Sequence, residues 1–183
     1  MDMRIRQATI EDAPFIAESL MSAVGIDEPT EELMRSVRVL CQRDDTLYSW
    51  RNTLIAEVDG KCAGSITSYK GCDYERMRSV TFDYVLQTTG QDFHGMDMET
   101  LTGEYYLDSL AVRQPFRRQG IGTALLHAGM AEAERLGIET VTLACDPDNI
   151  KAYELYCTLG FVHTDDLFIF GGNYWKMERT NTL

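Results

Sequence analysis

The sequence is short of positive charge, of proline and of long apolar runs, and each shortage excludes a class of protein. Lysine and arginine number 17 against 29 aspartates and glutamates, a formal net charge of −12 over 183 residues. A surface of that sign repels nucleic acid and anionic membranes, so neither is expected as a partner, and cationic or neutral ones suit it better. With four prolines and 14 glycines the chain is not collagen-like or Pro-rich. No stretch approaches membrane-spanning length, and the start, MDMRIRQAT, lacks the apolar run of a secretory signal. The five cysteines, Cys41, Cys62, Cys72, Cys145 and Cys157, are odd in number and form no C-x-x-C pair. They argue against a disulfide framework and for a reduced, cytoplasmic setting. Cys62, Cys145 and Cys157 lie in apolar stretches that suit buried free thiols. The three histidines, His94, His127 and His163, share no ligand spacing, so no metal site is expected.

What is present reads as one domain over residues 1–183, long enough for a real core. "MRIRQAT" is a short strand, and "TIEDAPFIAESLMSAVG" is a helix that Thr9 can cap and Gly25 can end. A second helix covers "TEELMRSVRVLCQR", with Leu33, Val37 and Leu40 at helical spacing. Two β-rich runs flank Asp59-Gly60, a pair that tolerates the positive φ of a tight hairpin. Residues 70–103 interrupt the pattern: "DYERMRSVTFDYVLQ" can be helical, and a glycine-broken loop follows. "EYYLDSLAV" is the next strand. "IGTALLHAGMAEAERLG" is a helix with Ile121, Leu125, Ala128 and Leu136 as its apolar stripe, in which Glu132 is a mismatch. "IETVTLACD" is a buried strand, "NIKAYELYCTLG" a short helix capped by Asn149 or Asp148, and two strands around Gly171-Gly172 finish the chain. The order β-α-α-β-β-insert-β-α-β-α-β-β predicts a mixed α/β sheet.

"RRQGIG", residues 117–122, is the one basic exception in an acidic chain, and it runs straight into a helix start. Such a start offers unpaired N–H groups and a partial positive charge to an anion. Gly120 and Gly122 let a phosphate reach the backbone, and Arg117 and Arg118 add charge-assisted contacts. A Walker loop would need Gly-Lys-Ser/Thr, which is missing. A dinucleotide fingerprint would need a third glycine where Leu125 stands.

From Leu110 to Phe161 the chain resembles the GNAT superfamily of N-acetyltransferases. The hallmark Arg/Gln-x-x-Gly-x-Gly/Ala is matched by Arg117, Gly120 and Gly122 directly after the "LAV" strand end. A second element, Asn-x-x-Ala-x-x-Leu-Tyr-x-x-x-Gly-Phe, is matched by Asn149, Ala152, Leu155, Tyr156, Gly160 and Phe161, and "IRQATIEDA" is similar to the usual opening. The resemblance implies a mostly antiparallel central sheet flanked by helices and splayed between its fourth and fifth strands, with acetyl-CoA wedged in the gap. It also implies a set of contacts. Leu110 N–H would face the thioester carbonyl and Val112 N–H the pantetheine, with Ala111 between them. Gln119, Gly120, Ile121, Gly122 and Thr123 would give N–H groups to the pyrophosphate beside Arg117 and Arg118. Asn149 would touch the pantetheine, and Tyr156 would be the general acid, with Tyr153 a weaker candidate. The implied function is acetyl transfer to a primary amine by direct attack in a ternary complex, the alternative being a non-catalytic acyl-CoA-binding module.

Strand alternation puts Glu104, Tyr106, Asp108, Leu110 and Val112 on one face, so that Asp108 stands ~7 Å from Leu110. A carboxylate there can hold an amine or take its proton, and the base is open between Asp108, Glu104 and a water chain. His94 is a further candidate. The aromatics and carboxylates of residues 70–103 suit either an acceptor-side lid or a homodimer interface.

Overall fold

The computed structural model describes residues 2–181, so the outermost ends of the expected 1–183 domain lie outside the described residues. Seven strands form one sheet: β1 (Met3–Gln7), β2 (Thr53–Val58), β3 (Lys61–Lys70), β4 (Glu104–Val112), β5 (Thr140–Cys145), β6 (Val162–Ile169) and β7 (Gly172–Thr180). Their order across the sheet is β1-β2-β3-β4-β5-β7-β6, and every pairing is antiparallel except β4 with β5. Five helices cover the two faces: α1 (Ala13–Ala23), α2 (Glu31–Gln42), α3 (Gly71–Thr89), α4 (Ile121–Arg135) and α5 (Ile150–Thr158). The sheet thus separates two cores. One gathers α1, α2 and α3 around Phe15, Leu40, Tyr74 and Phe82, and the other gathers α4 and α5 around Ile121, Leu125, Leu143 and Phe161.

Local chemistry explains most of the boundaries. Asp59 (φ 49°) and Gly60 (φ 77°) turn β2 into β3 in two residues, the left-handed pair that matches strand twist. Thr30 caps α2 by accepting from Leu33 N–H at 3.2 Å, and Gly90, at φ 75°, ends α3. The interruption at residues 70–103 therefore resolves into the end of β3, a 19-residue helix and a loop.

Three expectations need correction. The apolar stripe of α4 is Ile121, Leu125, Leu126, Gly129, Met130 and Ala133, whereas Leu136 is exposed. Glu132 lies off that stripe and accepts from Arg135 at 2.6 and 2.8 Å, so the mismatch came from a misplaced face. The final turn is made by Phe170 and Gly171, both at positive φ, and Gly172 already belongs to β7. Cys157 is exposed and Cys62 only partly covered, whereas Cys41 and Cys145 are the buried free thiols.

Candidate active site

The backbone opens where β4 and β5 part. Their parallel pairing runs from Glu104 with Thr140 to Leu107 with Leu143, yet β4 continues to Val112 and β5 to Cys145. Arg113 N–H donates to Ala63 O of the β3 side at 2.8 Å. By the two-residue period of a strand, Ala111 and Ser109 share that edge, and Leu110 and Val112 turn their N–H and C=O to the edge that β5 has left. Arg117 Nε donates to Val112 O at 2.9 Å, so one of those open carbonyls is already held. A cavity of about 1010 Å³ fills the wedge, lined by Leu107–Leu110, Leu143–Asp146, Asn149 and Tyr156 as it passes through the sheet.

β4 is not a regular strand. Leu107 pairs with Ser68 and Ser109 with Thr67, which leaves Asp108 as an extra residue, a β-bulge. Side chains before and after it are out of phase. Tyr106 packs in the α1–α3 core, Tyr105 and Leu107 in the α4 core, and Leu110 and Val112 again against the α4 core. The single face expected for Glu104, Tyr106, Asp108, Leu110 and Val112 is therefore wrong: the bulge moves the last two to the opposite side.

Asp108 is half-buried at the cavity wall, and its Oδ2 accepts the Tyr69 hydroxyl. Glu99, 4% exposed, lies on the same wall and accepts Tyr74 and Tyr106 hydroxyls, each at 2.9 Å. Burial and the neighbouring Glu99 charge push the Asp108 carboxyl well above the usual carboxylate range, although the Tyr69 bond opposes this. Burial likewise raises Glu99, against the bonds from Tyr106 and Tyr74. Glu104 is placed elsewhere. It pairs with Lys176 at 2.8 and 2.9 Å and accepts from Thr100 and the Leu101 N–H. Burial works against its charge, but these partners outweigh it and hold Glu104 low. A carboxylate so occupied has no free edge for an amine.

The loop before α4 takes its shape from two left-handed residues, Arg118 (φ 64°) and Gly120 (φ 79°). The first helical bond runs from Ala124 N–H to Gly120 O at 3.0 Å, so Ile121, Gly122 and Thr123 keep N–H groups without an acceptor inside the helix. A Cβ on Gly122 would meet Val112 Cγ2 at 3.8 Å and Leu110 Cδ2 at 3.9 Å, ordinary contacts, so the helix start sits directly over the open end of β4. Ala111, Val112 and Arg117 also line an adjoining hollow of about 440 Å³, and Gln119 donates its amide to Pro115 O at 3.2 Å. This arrangement can hold an extended anion.

On the other bank, Asn149 Oδ1 caps α5 by accepting from Ala152 N–H at 3.2 Å, which leaves its amide N–H₂ for other use. Tyr156 packs edge-on to Phe161, with ring centroids 6.1 Å apart, and has no hydrogen-bond partner among the described residues. Burial, with Cys145 nearby, pushes its hydroxyl up to about 12. Tyr153 instead packs against Trp175 and does not line the large cavity. His94 is held by Asp92 at 2.7 Å and Asp83 at 3.1 Å, away from the cavity wall. Sequence reading passed over Tyr69 and Tyr48 and gave Glu99 no role of its own. A tyrosine-and-glutamate run beside a strand has no local signal, because its partners meet only in the folded sheet.

Among known proteins, residues 17–161 match the acetyltransferase (GNAT) family. The GCN5-related N-acetyltransferase 4, chloroplastic, of Arabidopsis thaliana is 40% identical over 80 residues, which are 44% of this chain and 26% of the plant protein. The N-alpha-acetyltransferase of Sulfurisphaera tokodaii is 33% identical over 109 residues, 58% of this chain and 54% of the archaeal one. The chain thus spans about half or less of the length of these relatives. A solved acetyltransferase superposes with a TM-score of 0.80 at 27% identity, over 97% of this chain and 98% of its own. The family match runs from within α1 to just past α5, well over half of the chain, and the chain is therefore a member of the GNAT acetyltransferases.

Proposed function

We propose that the protein transfers the acetyl group of acetyl-CoA to a primary amine by direct attack in a ternary complex. The observation that carries this reading is that Asp108, the open edge of β4 at Leu110 and the unpaired hydroxyl of Tyr156 all border one through-sheet cavity. Acetyl-CoA fits the residues around it. Its pyrophosphate suits the N–H groups from Gln119 to Thr123, where Gly120 holds a φ of 79° that L-residues resist, with Arg117 and Arg118 adjacent. Val112 N–H and the Asn149 amide suit the amide-bearing pantetheine arm. Ala111, bonded toward β3, is the spacer that keeps Leu110 and Val112 on the open edge. When bound, acetyl-CoA supplies an activated acetyl group on a thiol of ordinary pKa about 8.5.

The chain's own groups do the rest. An alkylammonium resembles lysine, with a pKa of about 10.4, so it must lose a proton before its nitrogen can attack. Asp108 accepts that proton, and its raised pKa narrows the gap it must overcome. Leu110 N–H donates to the carbonyl oxygen on which negative charge grows as the C–N bond forms. Tyr156 donates toward the departing sulfur as the C–S bond breaks. With its hydroxyl at about 12, full proton release to a thiolate is uphill, so Tyr156 stabilises the thiolate by a hydrogen bond and solvent completes its protonation. Supplying acetyl-CoA and a panel of amines should release free thiol in proportion to acetylated amine. Tight acetyl-CoA binding with no thiol release from any amine would leave the alternative, an acyl-CoA-binding module.

A further inference from the structure

The charged side chains that line the large cavity are all of one sign. Glu32, Glu99, Asp108 and Asp146 border it, and among the described residues no lysine, arginine or histidine does. The cationic residues that face an anion, Arg117 and Arg118, stand outside it at the α4 start. On the acceptor side the wall comes mainly from α1, α2 and α3 and is mixed: Leu20, Leu33, Val37, Leu40, Tyr84 and Val85 give it apolar surface, and Ser36, Thr88 and Thr89 set hydroxyls among them. The two acids at its inner end are hydrogen-bonded by hydroxyls, and Arg78 acts on Glu99 through its charge alone. Tyr69 donates to Asp108, and Tyr74 and Tyr106 donate to Glu99. Tyrosine hydroxyls orient both groups but bring no positive charge, and burial beside Glu99 holds the Asp108 carboxyl well above the usual range, so an incoming cation is what favours its charged form.

We propose that the acceptor is a primary amine carried on an apolar skeleton with no acid group near the nitrogen, its ammonium received at Asp108. The inference rests on the transferase reading above and adds the class of acceptor. An α-amino acid would add its carboxylate to a poorly solvated wall whose charged side chains are all acids, with no guanidinium or ammonium lining it among the described residues. A bare amine brings only the cation that the wall attracts and a body that the apolar helices can cover. Glu99, with both oxygens taken by tyrosine hydroxyls, is neither the proton acceptor nor the ammonium's direct partner; its part is to bias Asp108 and favour a cation there through its charge.

Phenethylamine and phenylalanine differ only by the α-carboxylate and make the deciding pair, with a short peptide that begins with phenylalanine as the third acceptor. Thiol release from the full chain with acetyl-CoA should favour phenethylamine over phenylalanine in kcat/KM by at least ~10-fold, the discrimination expected of like charges in a poorly screened site. Glu99→Gln keeps the hydrogen-bonding shape. It should raise the amine KM, shrink that preference, and move the acid limb of the pH profile to lower pH. Equal or better use of phenylalanine, or a preference for the peptide, would overturn the inference while leaving the transferase reading intact. Loss of all turnover with every amine, despite acetyl-CoA binding in calorimetry, would overturn both.

Discussion

At the α4 start the chain presents two arginines, two glycines and a run of free N–H groups within residues 117–123. At the inner end of the cavity, Asp108 accepts from Tyr69 of β3, and Glu99 accepts from Tyr74 of α3 and Tyr106 of β4. The first region binds with backbone groups that neighbouring residues set by their φ angles. The second depends on side chains that only the assembled sheet and helices bring together. Local sequence therefore controls the anion end, and packing controls the amine end. Damage to the two should separate cleanly: one in acetyl-CoA affinity, the other in turnover and in acceptor choice.

The largest effect is expected at Asp108. Asp108→Asn keeps the Tyr69 contact but cannot accept a proton, and kcat should fall by roughly 10²- to 10⁴-fold, the range of a lost general base. Acetyl-CoA affinity, read by calorimetry, should change little. Next comes Tyr156→Phe, which removes only the hydroxyl: kcat should drop by ~10²-fold under conditions where chemistry limits turnover, again with acetyl-CoA binding nearly intact. Both substitutions blur the comparison if they weaken acetyl-CoA as much as they slow the reaction.

Gly122→Val tests the other region. The protein has room for a Cβ there, so the fold should survive, and the obstruction should appear as a loss of acetyl-CoA affinity of about 2 kcal/mol. Unchanged affinity would separate the helix start from the phosphates. The smallest effect is on stability. Asp108 and Glu99 both have folded pKa values raised above their unfolded ones. Between the two values the folded chain binds more protons than the unfolded one, so stability falls as pH rises through that window. Asp108→Asn should flatten this slope and raise Tm at mildly alkaline pH. An unchanged slope would mean that the carboxyl is not held against its charge.

These expectations reflect what was legible before any coordinates. The glycines, the arginines and Asn149-to-Phe161 stand in fixed local order, and so the α4 start, the α5 cap and Tyr156 could be read directly. Asp108 could be singled out, but its setting could not. "EYYLDSLAV" contains no glycine or proline to announce a bulge, and the bulge shows only in the register between β3 and β4. Glu104 looked as open as Asp108 until Lys176, 72 positions away in sequence, claimed it. Glu99 sits in a glycine-broken loop where a buried carboxylate is improbable by composition, and it is buried because two tyrosine hydroxyls receive it. The stripe of α4 was misplaced for a related reason: alanines and Gly129 count as weakly apolar in a pattern, but they face the sheet where little space remains.

The bulge at Asp108 also sets what kinds of change β4 can survive. Its extra residue stands outside the ladder, so that Leu110 and Val112 offer their N–H groups to the gap; drawn into regular pairing, Asp108 would shift the register and give that edge to Ser109 and Ala111. Substitutions along the strand alter one contact at a time and leave that register alone. Deletion of Asp108 would join Leu107 to Ser109 in an unbroken ladder, with every pairing to β3 and the open edge at Leu110 and Val112 kept and only the carboxylate lost. The sheet can therefore close without the bulged residue, and what its retention serves is the carboxylate that it sets at the cavity wall.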